Sequence, residues 1–229
     1  MEDYTYENGR RYHAFRAGEY PLPNDEMEQD RMDLLHHIWR LMLGGRLLIT
    51  DLHEPQRILD IGTGTGIWAI DIADEYPAAQ ITATDLSPIQ PAWVPPNCNF
   101  YIDDAESPWN FEPQDLIHGR SLGGSLADWP RFYSQCFQNL KPGGHIEMQE
   151  HDAWISALNK ETPPWTAYWN VTLNEASAMF GKYLNVANKH VEWMNEAGFV
   201  DVNDKTFQVG KHHPPKSCQN TIPTLTYTN

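Results

Sequence analysis

Asp60, Gly62, Gly64 and Gly66 stand at every second position of the run Arg57-Ile58-Leu59-Asp60-Ile61-Gly62-Thr63-Gly64-Thr65-Gly66-Ile67-Trp68. Glycines at this spacing let the backbone take positive φ and let a ligand come close to the main chain. A helix that follows such a turn starts with unsatisfied N–H groups facing the ligand. The apolar residues before Asp60 read as a short buried strand, which puts the carboxylate at the strand end beside the turn. A nicotinamide or flavin fingerprint, Gly-x-Gly-x-x-Gly, would need its third glycine where Ile67 stands. The run therefore suits a cofactor other than a dinucleotide; a tight turn with no ligand is the plainer alternative.

Two further acids extend the pattern. Asp85 closes the strand-like run Ile81-Thr82-Ala83-Thr84-Asp85. A carboxylate there can accept both hydroxyl protons of a ribose. Asp103-Asp104-Ala105-Glu106 closes the run Phe100-Tyr101-Ile102, where a side-chain acceptor and a neighbouring N–H suit the donor and acceptor edge of adenine. Taken singly, each acid is a helix cap or a solvated turn residue. In order at successive strand ends, where open α/β sheets bind ligands, they point to a nucleoside-bearing cofactor.

Residues able to move a proton lie further on. His118-Gly119-Arg120 follows one predicted strand, and Glu147, Glu150, His151 and Asp152 line the end of the next. His118 and His151 are candidate bases, because an imidazole titrates near neutrality; polar surface residues are the alternative. Arg120 and Arg31 suit a cofactor carboxylate or a structural ion pair. His212-His213 lacks companion Cys or acid residues, so a solvated loop and no metal is expected. Trp165, Tyr168 and Trp169 fall at i, i+3 and i+4, which places them on one helix face, with Trp154 and Phe180 nearby. Core packing is their default role, and a flat apolar acceptor pocket is the sharper one.

The elements that must position these residues alternate from residue 57 onward as strands near 57–60, 81–85, 99–102, 115–118 and 145–149. Helices are expected near 66–75, 128–140, 164–180 and 187–197, which predicts a doubly wound, mostly parallel sheet. Asp128-Trp129-Pro130 starts a helix, and Lys141-Pro142-Gly143-Gly144 turns into the next strand. Residues 1–24 read as an irregular arm. Asp25-Glu26-Met27-Glu28 opens a cap helix that Gly44-Gly45 stops, so residues 1–45 form an arm and cap and 46–229 the main domain. Val200 to Val209 reads as a sixth strand, and Thr224 to Thr228 as a short makeshift seventh, or else the sheet lacks one. A missing strand would leave an open edge and favour a homodimer or a protein partner.

The chain has 229 residues, with 16 basic against 31 acidic and a formal charge of −15, which argues against a nucleic-acid partner. Its three cysteines form no CxxC pair, so reduced thiols and a cytoplasmic location are expected, nuclear if the role is regulatory. No run of about 18 apolar residues predicts a membrane span. Met1-Glu2-Asp3-Tyr4 is unlike a signal or transit peptide.

Asp60 to Gly66, Asp85, Asp104-Ala105 and Asn139-Leu140-Lys141-Pro142-Gly143-Gly144 together resemble the motifs of class I S-adenosylmethionine-dependent methyltransferases. The resemblance implies the Rossmann-like class I fold, here with an N-terminal helical cap and a shortened or atypical C-terminus, and S-adenosyl-L-methionine as cofactor. It implies that Gly62, Thr63, Gly64 and Gly66 pack against the cofactor's amino-acid part, with Asp60 near its ammonium. Asp85 would hold the ribose, and Asp104 and Ala105 the adenine, with Leu86 and Arg120 also counted among the cofactor-binding residues. The stretch Tyr20 to Arg31 and the run Asp103 to Trp109 are similar to the fungal LaeA-like methyltransferases of secondary metabolism. That narrower likeness implies a small-molecule acceptor from natural-product biosynthesis. The alternative it implies is a regulator or scaffold with weak or no transferase activity. A nicotinamide-dependent reductase is disfavoured by Ile67 and by the lack of a Tyr-x-x-x-Lys pair.

Overall fold

The computed structural model describes residues 4–155, 161–207 and 224–228. The N-terminal arm is ordered as a hairpin rather than irregular: β1 (Tyr4–Glu7) pairs antiparallel with β2 (Arg10–His13). Its turn is Asn8-Gly9, with both residues at positive φ (50° and 75°), the conformation that favours Asn-Gly in two-residue hairpins. Arg10 then pairs with Asp25 at 2.5 Å and 2.9 Å, which ties the hairpin to the start of α1 (Glu26–Met42). Asp25 is the expected N-cap and accepts the Glu28 N–H.

The body follows as β3 (Arg57–Ile61), α2 (Ile67–Glu75), β4 (Gln80–Asp85), β5 (Cys98–Ile102) and β6 (Gln114–Arg120). Then come α3 (Trp129–Gln138), β7 (Leu140–Gln149), α4 (Pro164–Phe180), α5 (His190–Ala197), β8 (Val200–Lys205) and β9 (Thr224–Thr228). β7 starts five residues earlier than expected, because the Lys141–Gly144 stretch already runs beside Gln114 through a register shift.

Seven strands form one sheet in the order β5-β4-β3-β6-β7-β9-β8. The first five are parallel, and β9 enters antiparallel between β7 and β8. Thr224–Thr228 therefore occupies the seventh-strand position and covers the edge of β7, leaving β8 as the edge strand.

Each face of the sheet carries its own core. One joins Leu59, Ile117, Ile146 and Met148 to Phe132, Tyr133, Cys136 and Met194. The other joins Ile58, Ile81 and Leu116 to Trp68, Ile72 and Leu47. β3 has β4 on one side and β6 on the other, so chain direction around the sheet reverses between β3 and β6. Such a switch point leaves a crevice at the carboxyl ends of these strands, which is where the site must lie.

α1 lies over that crevice through three attachments. Trp39 is fully buried. Arg40 and His36 both reach Asp71 on α2, at 2.9 Å and 3.1 Å. The chain after α1 is pinned by Glu147 of β7, whose buried carboxylate accepts from Ile49 N–H, Thr50 N–H and the Thr50 hydroxyl. Glu147, expected at the site, is thus a structural clamp, level with His118 on the neighbouring strand. Among the described residues no helix is long and apolar enough to cross a membrane.

Candidate active site

The turn from β3 to α2 is built by three left-handed glycines in a row of alternation: Gly62, Gly64 and Gly66 have φ of 65°, 59° and 81°. A side chain at any of them would be strained, and each also faces a close neighbour. A Cβ on Gly62 would lie 2.5 Å from Leu122 Cδ2, and one on Gly64 3.1 Å from Met32 Sδ. Gly62 and Gly64 face the crevice. Gly66 does not: it is buried with its Cα against the ring of Phe100, so its glycine is required by packing of the turn onto β5.

Asp85, at the end of β4, holds this turn in place. One carboxylate oxygen accepts the Gly64 N–H and the other the Ser87 N–H, both at 2.8 Å. Each oxygen keeps a further lone pair, so two hydroxyl donors can still be received. Burial pushes the Asp85 carboxyl up to about 6, because these N–H bonds only partly replace water around the charge. Thr63 donates its N–H to Thr84 O, while its hydroxyl is buried with no protein partner.

After β5 the chain makes a tight turn. Asp104 accepts the Glu106 N–H with one oxygen and the Ser107 hydroxyl with the other, and Arg16 of the arm approaches to 3.5 Å. Asp104 is therefore a turn-forming residue as well as a crevice residue. The Ala105 carbonyl takes the indole N–H of Trp109, but the Ala105 N–H has no acceptor among the described residues and lines the crevice.

At the end of β6, His118 is fully buried and stacked on the Trp68 indole, ring centroids 3.6 Å apart. Its Nδ1 lies 2.7 Å from the Asp60 carboxylate, and its Nε2 is buried without a partner. Asp60 thus receives Nδ1–H and leaves the buried Nε2 as a bare lone pair, the tautomer able to accept a proton there. Three residues on, the backbone of Ser121 is left-handed at φ 55°, unusual for a non-glycine and located where β6 opens into the site. His151 is different. Its imidazole is 44% exposed, stands 3.4 Å from the Ser121 hydroxyl, and lies at the crevice margin rather than in its lining. Burial beside Arg31 still holds it below the ordinary imidazole range. The neighbouring Glu150 is fully buried, accepts from Gly123 and His151 N–H, and is pushed up to about 7.

Both arginines considered for a carboxylate line the crevice, and only one is available. Arg31 grips Glu28 with two nitrogens, at 3.0 Å and 2.6 Å. Arg120 makes no ion pair among the described residues, and burial pulls its guanidinium down to about 10. A single crevice so collects Asp60, Gly62, Thr63, Gly64, Asp85, Leu86, Asp104, Ala105, His118 and Arg120. The cap closes it with Tyr20, Met32, Leu35 and His36, and Lys182 enters from the end of α4.

None of these cap residues was singled out as a site residue from the sequence. The available signal was His36, a polar residue that shares the buried face of α1 with Trp39 and Glu28. His212-His213 lies outside the described residues. The aromatic face of α4 is not core: Trp165, Tyr168 and Trp169 are 83%, 65% and 56% exposed, and only Asn170 of that helix is buried.

The fit of these residues to S-adenosylmethionine rests on their unused groups: two free acceptor positions on Asp85, the open Ala105 N–H, the bare Thr63 hydroxyl, and an unneutralised guanidinium. Those are the counterparts of a ribose diol, an adenine ring nitrogen and an amino-acid carboxylate.

A family described as "Methyltransferase domain" matches residues 34–205. Methyltransferase pytC of Aspergillus terreus is 42% identical over 221 residues, spanning 94% of this chain and 68% of that protein. The secondary metabolism regulator laeA of Aspergillus flavus is 46% identical over 203 residues, spanning 86% of this chain and 55% of the regulator. The chain thus covers about two thirds of the first protein and about half of the second. Among solved structures, human N-acetylserotonin methyltransferase in complex with SAM superposes with a TM-score of 0.56 at 17% identity, over 93% of this chain and 63% of that one. Haemonchus contortus phosphoethanolamine N-methyltransferase 2 gives 0.53 at 21% identity, over 77% and 38%. These two show the fold.

Proposed function

This chain belongs to the methyltransferase-domain family; we propose that it is an S-adenosyl-L-methionine-dependent enzyme whose acceptor is a small molecule of fungal secondary metabolism. The observation that carries the reading is the single crevice in which groups drawn from β3, β4, β5 and β6 keep their free valences toward one volume. The acceptor class rests on pytC, a methyltransferase of similar sequence from a fungus, and on the laeA proteins of secondary metabolism.

S-adenosylmethionine supplies an electrophilic methyl group on a sulfonium, whose leaving thioether is neutral and needs no acid. The work left to the chain is positioning, which makes an in-line displacement effectively unimolecular. Asp85 is placed to hold the ribose hydroxyls, Asp104 and the Ala105 N–H the adenine, and Arg120 the carboxylate. Gly62 and Gly64 leave room for the amino-acid part, with Asp60 near the ammonium. An oxygen acceptor needs a proton removed, and His118 Nε2 is the group prepared for it, its tautomer set by Asp60. His151, at the margin, is the second candidate base. The cap residues Tyr20, Met32 and Leu35 keep water from the reacting atoms.

Calorimetric titration tests the cofactor half. S-adenosylmethionine and S-adenosylhomocysteine should both bind, and NAD should not; no response to either sulfur ligand would sink the reading. Mass spectrometry of metabolites after gene deletion tests the acceptor half. A regulatory role, as in the laeA relatives, would use the same crevice and would show as changed cluster expression without loss of one methylated product.

A further inference from the structure

Arg120 is set in the crevice by a chain of hydrogen bonds that starts on another helix and passes through the cap. Asp71, on α2, faces His36 Nε2 at 3.1 Å, and Arg120 Nη2 lies 2.9 Å from His36 Nδ1. A guanidinium can only donate, so Nδ1 must be the bare acceptor and Nε2 must carry the hydrogen that Asp71 receives. The tautomer of His36 is therefore fixed from both sides. The imidazole is 4% exposed, so water does not compete for either nitrogen. Asp71 stays an acceptor because His36 and Arg40 hold its carboxyl below the usual range.

The consequence falls on Arg120. A buried guanidinium needs a counter-charge, and among the described residues this one has no carboxylate within ion-pair distance, Asp60 and Asp71 acting on it only from further away. Its hydrogen bond to His36 goes to a neutral acceptor, which fixes orientation without cancelling charge. The remaining N–H groups border the same crevice as Gly62 and Asp60. Arg31, the competing cation, is already neutralised by Glu28.

We propose that Asp71 and His36 are positioning residues that aim an uncompensated Arg120 at the carboxylate of the bound cofactor, so that the cap helix takes part in cofactor recognition. The inference rests on the reading that S-adenosylmethionine binds in this crevice. It adds that recognition of the carboxylate depends on α1 and α2, neither of which carries a motif residue for it. His36 acts by denying Arg120 its alternative rotamers. A bidentate contact requires the guanidinium plane to be set before the ligand arrives.

The test compares two probes on the full chain by calorimetry: S-adenosylhomocysteine, and its decarboxylated analogue, which keeps adenosine, thioether and ammonium. The wild type should prefer the former. Arg120→Met should weaken S-adenosylhomocysteine about tenfold to a hundredfold, the worth of a charge-assisted contact, and leave the analogue within about twofold. His36→Leu should reproduce this pattern at about tenfold, and His36→Asn, which restores an acceptor near the Nδ1 position, should recover most of it. A His36→Leu loss equal for both probes would mean that the residue only docks the cap, and would overturn the proposal. So would a full Arg120 effect with no His36 effect. No Arg120 effect would show instead that the carboxylate is held elsewhere, and no binding of either probe to the wild type would remove the underlying reading.

Discussion

If Asp85 holds the ribose as proposed, cofactor affinity should depend on pH, and the size of the coupling follows from its surroundings. Its carboxyl is raised from 3.8 to about 6, chiefly by burial. Only the ionised form offers two free lone pairs beyond those used by Gly64 and Ser87. The apparent affinity therefore scales with the ionised fraction. That fraction is nearly complete at pH 8 and about one in eleven at pH 5, which predicts S-adenosylhomocysteine binding about tenfold weaker at pH 5, or ~1.4 kcal/mol. The stability term has the opposite sense. A carboxyl raised on folding binds its proton more tightly in the folded chain, so its contribution is full below about pH 4 and is lost as pH rises through about 6. At pH 7 the ionised group costs the apo-protein about 3 kcal/mol, which the bound diol offsets. Asp85→Asn removes that cost but sets an amide NH2 against the N–H of Gly64 or Ser87, so net stability should change little while affinity falls. Calorimetry between pH 5 and 8 on both proteins is the assay. A flat wild-type profile would refute the reasoning. So would an unchanged slope in the variant, which would assign the titration to Glu150, pushed up to about 7.

Other substitutions separate binding from scaffold. Glu147→Ala leaves the N–H groups of Ile49 and Thr50 buried without acceptors and should destabilise by about 3–5 kcal/mol, read by chemical denaturation. Gly62→Ala forces a Cβ into left-handed backbone 2.5 Å from Leu122 and should cost at least about 1 kcal/mol and abolish S-adenosylhomocysteine binding. Trp165→Ser and Trp169→Ser should move stability by no more than about 0.5 kcal/mol, since both indoles are exposed; a loss of several kcal/mol would restore them to the core.

The half of the site built from strand ends was legible because its determinants are local. Asp60 to Gly66 carries strand, turn and helix start within a few residues, and Asp85 and Asp104 each follow a short apolar run. α4 fell at the expected 164–180 for the same reason. What its i, i+3, i+4 aromatics could not say is whether the shared face meets anything: periodicity reports a face, and packing is decided by the rest of the chain. β9 was ambiguous on similar grounds, since five Thr-rich residues become a strand only when β7 and β8 leave a gap between them. The hairpin of the arm was readable in principle, through Asn8-Gly9 between alternating residues, and was missed because its neighbours are polar.

The cap half was illegible for a deeper reason. Glu147 on β7 fixes residues 49–50, and that attachment sets where α1 crosses the sheet. The crossing brings Met32 to Gly64, and His36 to Arg120 and Asp71. Each of these contacts joins positions more than thirty residues apart, so no window of sequence contains both partners. A buried acid at one strand end thus determines the geometry of a cation at the next, through a helix that belongs to neither. The crevice works as a unit for that reason: its motif residues supply the free valences, and residues outside every motif decide where those valences point.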